Sequence, residues 1–382
     1  MSDYMPEEVI LKILNRLPVK SLVRFRSVCK SWNTLISHPS FISAHLQSSL
    51  SNNTPFLLLG GLKNGRDYHS LHYDNDGFGK FKQLQLPDFG YAADSPMVGS
   101  CNGLICVQLY PFDDYGNLNF LLWNPSIQKY ISLPQFGVTE SVHLKFGFGF
   151  DSRTHDYKLL IVGVDDDGNW IQPYLFSFNE NCWRKVTAAF PNYAAIFDEM
   201  PMPFVNGALN WLGQKDDDED SNVILGFDLS AEEFFDINLP ESLIRLRYFD
   251  LSIMKYGESS IAVSTHAPDA ELHELWVMKE YAVVESWTKL LTLHRIDQHA
   301  SVPRVLGFRK NGEVLLRVDK GKMASLDLNC QQMEASLDLN CQLMELHGVE
   351  VGAVLLSVDN YVESLVLFDK AVDHPIDSSD SE

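Results

Sequence analysis

The chain has 382 residues and a formal net charge of −21, a polarity that repels phosphate backbones and argues against nucleic acid as a partner. Its hydrophobic content of 45% and aromatic content of 12% exclude a disordered chain and imply a packed globule with more than one small core. Residues 1–50 run against the overall balance, with six basic groups to three acidic ones, so the remainder carries −24. Two domains with different partners are expected.

The six cysteines form no Cys-x-x-Cys pair, which argues against structural zinc. The N-terminus lacks an apolar signal core, and no run reaches the roughly 18 apolar residues of a membrane span. Free thiols, a reducing cytoplasmic or nuclear setting and no membrane partner are the expectation. The sequon at Asn52-Asn53-Thr54 then has no role.

A first helix is predicted from Pro6 to about Arg16. Proline suits a helix start, and Glu7 and Glu8 complement its positive end. Val9, Ile10, Ile13, Leu14 and Leu17 share one face. Pro18 stops this helix and opens a second stretch, which breaks near residues 28–30. There Leu22, Phe25, Cys29 and Trp32 line one side, opposite Lys20, Arg24, Ser27 and Ser31. Leu35, Ile36, Phe41 and Leu46 continue the pattern through a last short helix around Pro39. The basic residues are thus the solvated back of a small bundle. A core of about 45 residues is marginal alone. Met5, Val9, Ile10, Leu17, Leu22, Cys29 and Trp32 are more apolar groups than short helices bury among themselves, which points to a partner-binding module.

Residues 5–46, "MPEEVILKILNRLPVKSLVRFRSVCKSWNTLISHPSFISAHL", closely resemble the F-box of large plant families, with Met5 where leucine is usual. The resemblance implies docking to a Skp-type adapter and, through it, a cullin ubiquitin ligase. Met5, Pro6, Val9, Ile10, Leu17, Pro18, Leu22, Cys29 and Trp32 then line or support that interface.

After the module (1–46), a polar linker is expected at 47–54. Short apolar runs between Gly, Asn, Asp and Pro follow: "FLLLGG" (56–61), "GLICVQLY" (103–110), "KLLIVGV" (158–164), "PYLFSF" (173–178), "SIAVSTH" (260–266), "EVLLRV" (313–318) and "ESLVLF" (363–368). They read as strands of an all-β body over 55–370, ahead of a disordered acidic tail at 371–382. A weak repeat joins an apolar strand, an Asn/Asp turn and a second strand, with units ending at Pro87, Pro134, Pro191 and Pro240. Segments 275–293 and 337–346 look like further copies. This spacing fits blades of about 50 residues and a closed β-propeller of about six blades; a pair of β-sandwiches is the alternative. The fold class is therefore α+β multidomain, a small helical F-box followed by an all-β propeller-like domain. "GSCNGLICV", "LWNPSIQKYISLP", "FGFGFDSRTHDYKLL", "FVNGALNWLG" and "VLGFRKNGEVLL" resemble the F-box-associated domain, kelch-like and shared with S-locus F-box proteins. Only Gly60-Gly61 echoes the kelch repeat itself.

"ASLDLNCQQME" (324–334) and "ASLDLNCQLME" (335–345) match at ten of eleven positions. The period is too short for a blade, so a tandem duplication is inferred, one copy holding the blade strand and the other extending a hairpin or loop.

No phosphate-binding loop, metalloprotease motif, nucleophile elbow or spaced metal set is present. No catalytic residue, metal or cofactor is assigned. The acidic runs at 165–168 and 216–220 read as solvated loop tips. Aromatic-bearing loops make Tyr110, Phe112, Tyr115, Trp170, Tyr193 and Phe197 the candidate contacts for an unknown target protein. The leading expectation is a non-catalytic substrate receptor of a Skp–cullin–F-box ligase that leads its target to ubiquitination and degradation. The alternatives are a propeller ligand sensor or enzyme with an appended helical module, and a nucleic-acid binder working through the basic helices.

Overall fold

A computed structural model describes residues 6–51, 56–64, 66–86, 95–109, 117–137, 142–165, 171–188, 193–196, 201–215, 221–267, 270–294, 302–318, 322–328, 343–346, 353–367 and 369.

Four helices come first: α1 (Glu7–Leu14), α2 (Val19–Phe25), α3 (Lys30–Ile36) and α4 (Pro39–Ser51). Pro6 and Pro18 sit at the N-caps of α1 and α2. Cys29 caps α3, its Sγ accepting the Trp32 N–H at 3.5 Å. α4 continues through Ser51, so the helical module extends past the expected boundary at residue 46. Leu14, Val19, Leu22, Ile36, Phe41 and Ile42 form its core. A ring nitrogen of His45, Nε2, lies 2.9 Å from the Leu17 carbonyl and ties α4 to the α1–α2 corner.

Six antiparallel sheets follow. Blade 1 holds β1 (Phe56–Lys63), β2 (Arg66–Tyr73) and β3 (Lys80–Leu84); blade 2 holds β4 (Met97–Cys101), β5 (Leu104–Leu109), β6 (Asn119–Asn124) and β7 (Lys129–Ser132). Blade 3 holds β8 (Val142–Asp151), β9 (Asp156–Asp165), β10 (Tyr174–Ser177) and β11 (Cys182–Lys185). In blade 4 the inner edge is split between β12 (Tyr193–Ile196) and β13 (Phe204–Val205), both paired with β14 (Ala208–Lys215), before β15 (Asn222–Asp228) and β16 (Glu233–Asn238). Blade 5 holds β17 (Leu251–Tyr256), β18 (Ser260–Thr265), β19 (Leu272–Met278) and β20 (Trp287–His294); blade 6 holds β21 (Arg304–Phe308), β22 (Val314–Arg317), β23 (Met323–Leu326) and β24 (Leu343–Leu346). The last strand, β25 (Ala353–Tyr361), returns to pair with β1 as the inner strand of blade 1. The inner strands, with β14 reaching β17 at blade 4, contact one another around the ring, so this is a closed six-bladed propeller.

The strand sequences follow from blade stacking. A middle strand is covered on both faces, so it is apolar throughout instead of alternating. In β5, Leu104 and Cys106 pack with Phe146, Phe148 and Leu159 of blade 3, while Ile105 and Val107 pack with Phe56, Leu58 and Leu71 of blade 1. Outer strands such as β3, "KFKQL", and β11, "CWRK", carry charge on the exposed edge, which discourages further strand pairing. The repeat read from the sequence is the outer hairpin of each blade. Its turns hold Phe78, Gln128, Asn181, Glu232 and Ala282 at positive φ.

One expected strand is absent. Within "ESLVLF", residues 362–367 form an irregular strap after β25. Leu365 and Leu367 are buried, and Leu367 has a φ of 72°. Side chains of blade 2 satisfy this backbone in place of a strand ladder, as the next section shows.

Charged seams join blades on the face of the inner-strand and outer-hairpin turns. Between blades 3 and 4, Lys158 Nζ donates to Asp151 at 2.8 Å, to the Leu229 carbonyl at 2.7 Å and to Glu232 at 3.0 Å. Arg184 adds a two-pronged pair to Glu232. Burial pushes the Asp151 carboxyl up, but hydrogen bonds from Lys158, Ser230, Thr154 and the Arg153 N–H outweigh it and hold the group well below the carboxylate range. Between blades 6 and 1, Arg309 donates to Asp74 at 2.7 Å and to Glu313 at 2.6 Å.

The duplication resolves differently from expectation. Each copy supplies one strand: the first gives Ala324–Leu326 in β23, the second gives Leu343–Glu345 in β24, and Leu326 pairs with Leu343. The single mismatch between copies places Leu343 where the first copy has Gln332. Deleting 324–334 rebuilds Ala-Ser-Leu from 335–337 and leaves only 338–342 as the turn. That variant is expected to keep or raise its melting temperature; a fall of more than about 5 °C, roughly 2 kcal/mol for a domain of this size, contradicts this register. The Asp151 seam generates a pH expectation. A carboxylate with a depressed pKa stabilises the fold above its unfolded pKa of about 4 and loses that contribution as pH falls below it. Asp151→Asn therefore lowers the melting temperature at pH 7 and makes the decline between about pH 5 and 3 shallower than in the native chain. Parallel declines in the two proteins contradict this.

Candidate functional site

Two surfaces stand out, one on the helices and one on the propeller. On the helical module, Val9 and Ile13 are 42% and 47% exposed, one helical turn apart on α1, and Val28 in the α2–α3 turn is 62% exposed. Pro6, Pro18 and Cys29 are also exposed; Ile10, Leu17 and Trp32 are half-buried. Leu22 differs from the rest of the expected set. It is fully buried inside the bundle, so it supports the surface without lining it. Met5 lies outside the described residues. Ile13 and Val28 were missing from the expected set, although the Val9-Ile13 spacing was legible. Lys20, Arg24, Ser27 and Ser31 are exposed as the projection predicts. Arg26 instead donates from Nε to Asn33 at 2.6 Å.

The strap fixes this module to the propeller. Leu365 enters the helical core beside Leu14, Leu22 and Ile36, with Ile127 of blade 2 and Val366 packed alongside. Asn124 Nδ2 donates to the Ser364 carbonyl at 3.0 Å and the Val366 carbonyl at 2.8 Å, and lies 3.2 Å from Ser364 Oγ. The hydroxyls of Ser126 and Tyr361 pair at 2.8 Å. Gly103, at a φ of +77°, lets the strap cross closely: a Cβ there would stand 2.5 Å from both Ser364 Oγ and the Val362 carbonyl. Burial raises the Glu363 pKa, against the pull of Lys82 on blade 1 and Lys20 on α2.

The sequence comparisons agree with this two-part architecture. An F-box domain model matches residues 3–43, and a model described as the F-box associated beta propeller domain matches residues 74–325. The chain belongs to the F-box proteins with an F-box-associated β-propeller. It is similar to an F-box/kelch-repeat protein of Arabidopsis thaliana, 29% identical over 304 residues that cover 76% of this chain and 79% of the relative. Another F-box protein of that plant is 26% identical over 373 residues, 85% of each chain. F-box protein CPR1, also from Arabidopsis thaliana, is 26% identical over 357 residues, 86% of this chain and 83% of the relative.

The F-box and the strap lie on the face of the short inner turns. Leu50 of α4 and Val362 line one mouth of the central channel together with Asn102, Asn206, Gly257 and Lys310. Because successive strands are antiparallel, their other ends lie on the opposite face. Tyr110, Phe112, Tyr115, Trp170 and Phe197 lie outside the described residues, as does the side chain of Tyr193. The strand ends that flank them, such as Leu109, Asp165 and Ile196, all belong to that opposite face.

Within the channel, Asp359 of β25 accepts from Lys255 of β17 and Ser100 of β4, both at 2.7 Å, joining blades 1, 2 and 5. The Asp359 charge, with hydrogen bonding, keeps Lys255 protonated against burial. A cavity of about 240 Å³ follows toward the opposite mouth, lined by Met202, Ser252, Arg304 and Ser357 among others. Among the described residues no group of three His, Cys, Asp or Glu is placed to share a metal.

Leu365→Asp should free the F-box from the ring. Amides of α2–α4 are expected to exchange with deuterium at least tenfold faster, with blades 3–5 unchanged. Asn124→Ala, which removes bonds worth about 1 kcal/mol each, should act in the same direction with smaller effect. Unchanged exchange in α2–α4 contradicts the strap's role.

Proposed function

We propose that the protein is the substrate-receptor subunit of a Skp–cullin–F-box ubiquitin ligase. The observation that carries this reading is the set of exposed apolar side chains on an F-box core that the strap joins to a propeller. Pro6, Val9, Ile13, Pro18, Val28 and Cys29, with half-buried Ile10, Leu17 and Trp32, form the adapter surface, and Met5 extends it. Leu22 holds the helices in register beneath them.

The chain acts by tethering. The F-box binds the adapter, the opposite propeller face holds a target protein, and fixed geometry raises the effective concentration of target lysines near a charged ubiquitin-conjugating enzyme. This chain contributes no group to the transfer chemistry. The seat of action is the cytoplasm or nucleus.

Val9→Glu combined with Ile13→Glu tests the reading, because both side chains are exposed and the fold tolerates them. Burying a carboxylate in the adapter contact costs at least about 2 kcal/mol, so adapter affinity should fall more than tenfold at an unchanged melting temperature. Leu22→Ala is the contrasting control, losing about 2–5 kcal/mol of stability through a core cavity. Undiminished adapter binding by the double Glu variant contradicts the assignment.

A further inference from the structure

The face opposite the F-box carries a feature outside the aromatic loops singled out from sequence. Between blades 4 and 5 the chain forms α5 (Glu241–Ile244), then Arg245, Leu246 and Arg247, all exposed, then a 3-10 turn over Tyr248–Asp250. Leu246 and Phe249 are 39% and 54% exposed. They are nonetheless held firmly. Leu243 is fully buried beneath them, and Asn222 Nδ2 donates to the Leu243 and Leu246 carbonyls at 3.2 and 2.7 Å. Arg247 Nε donates to Asp250 at 2.8 Å while its guanidinium stands 4.8 Å from the Phe249 ring centre. On blade 5 the start of β19 presents Leu272, 40% exposed.

A hydrogen-bonded path runs from this knob to the channel mouth. The His266 N–H donates to the Asp250 carbonyl at 2.7 Å. His266 Nδ1 and Arg304 Nη2 lie 3.1 and 3.0 Å from the Ser252 hydroxyl. Arg304 pairs in register with Arg317. Four of the chain's twelve arginines therefore gather on one side of this face, in a protein of net charge −21.

The geometry points to this patch as the docking site for an acidic segment of a target protein that also carries a large apolar side chain. The inference rests on the receptor reading and names the chemistry of its target. Arginine forks suit carboxylates, and a rigid exposed aromatic beside arginine is the composition that anchors interfaces. Preorganisation through Asn222 and Asp250 lowers the ordering cost of binding. Exposed Glu241 and Glu271 flank the patch and favour a compact acidic group over a long polyanion. A nucleic acid, whose charge is continuous, fits such a flanked patch poorly.

The test pans a displayed random dodecapeptide library against the full chain co-purified with a Skp-type adapter, then measures the enriched peptides by fluorescence anisotropy. The expected pool is net negative with at least one aromatic or large aliphatic residue. Arg245→Glu, and separately Phe249→Ala, should each weaken binding tenfold or more, with melting temperature and adapter co-purification unchanged. A neutral or basic pool overturns the inference, as does no enrichment over empty support or binding indifferent to these substitutions. A labelled single-stranded oligonucleotide bound by the native chain and released by the same substitutions overturns it too. Failure of the unsubstituted chain to hold the adapter counts against the receptor reading instead.

Discussion

The pairing of β25 with β1 joins the two ends of the propeller and gives blade 1 its fourth, innermost strand. Without it β1 would turn its own unpaired edge to the channel, and the inner strands of blades 6 and 2 would lose the strand they both contact. The same stretch of chain then runs on as the strap, crosses Gly103, takes three contacts from the Asn124 amide and places Leu365 in the F-box core. Ring closure and placement of the F-box are thus successive consequences of one segment. The small helical core, marginal by itself, gains a leucine from the far end of the sequence.

This arrangement gives the two faces different work. On the F-box side charges are paired across blade seams, as in Lys158 with Asp151 and Glu232, or Arg309 with Asp74. Buried pairs of this kind are costly to break and hold the blades in fixed register. The opposite side carries the Arg245–Phe249 knob. An acidic protein can therefore present a local basic surface, provided that the partner's negative charge is compact.

Much of the fold was legible in sequence because its punctuation is chemical. Pro6 and Pro18 marked helix starts through their fixed φ, and the Asn/Asp turns before Pro134 and Pro240 marked outer hairpins. "ESLVLF" misled because three large apolar residues in a row look like a buried strand. What ends the strand is the Asn124 amide, which bonds the backbone from another blade, and no local pattern reveals that. The apolar face of the first helices was found, but its division was not: periodicity places Leu22 and Val9 in one class, and only packing puts Leu22 inside and Val9 outside. Conversely, the motifs around Gly103 and Asn124 drew notice as family likeness, and the strap supplies their physical reason. "RLRYF" escaped because its signal is rigidity in the fold, contributed by Asn222 from another strand.

The central claim is that the strap makes F-box and propeller one rigid body, and an interdomain distance measurement tests it most directly. With spin labels at Ser31 on α3 and Glu241 on α5, and Cys29, Cys182, Cys330 and Cys341 replaced by Ser, pulsed dipolar spectroscopy on the full chain should give one narrow distance distribution. Leu365→Asp should broaden it. A broad distribution in the chain with native Leu365, or a narrow one that survives Leu365→Asp, contradicts the account.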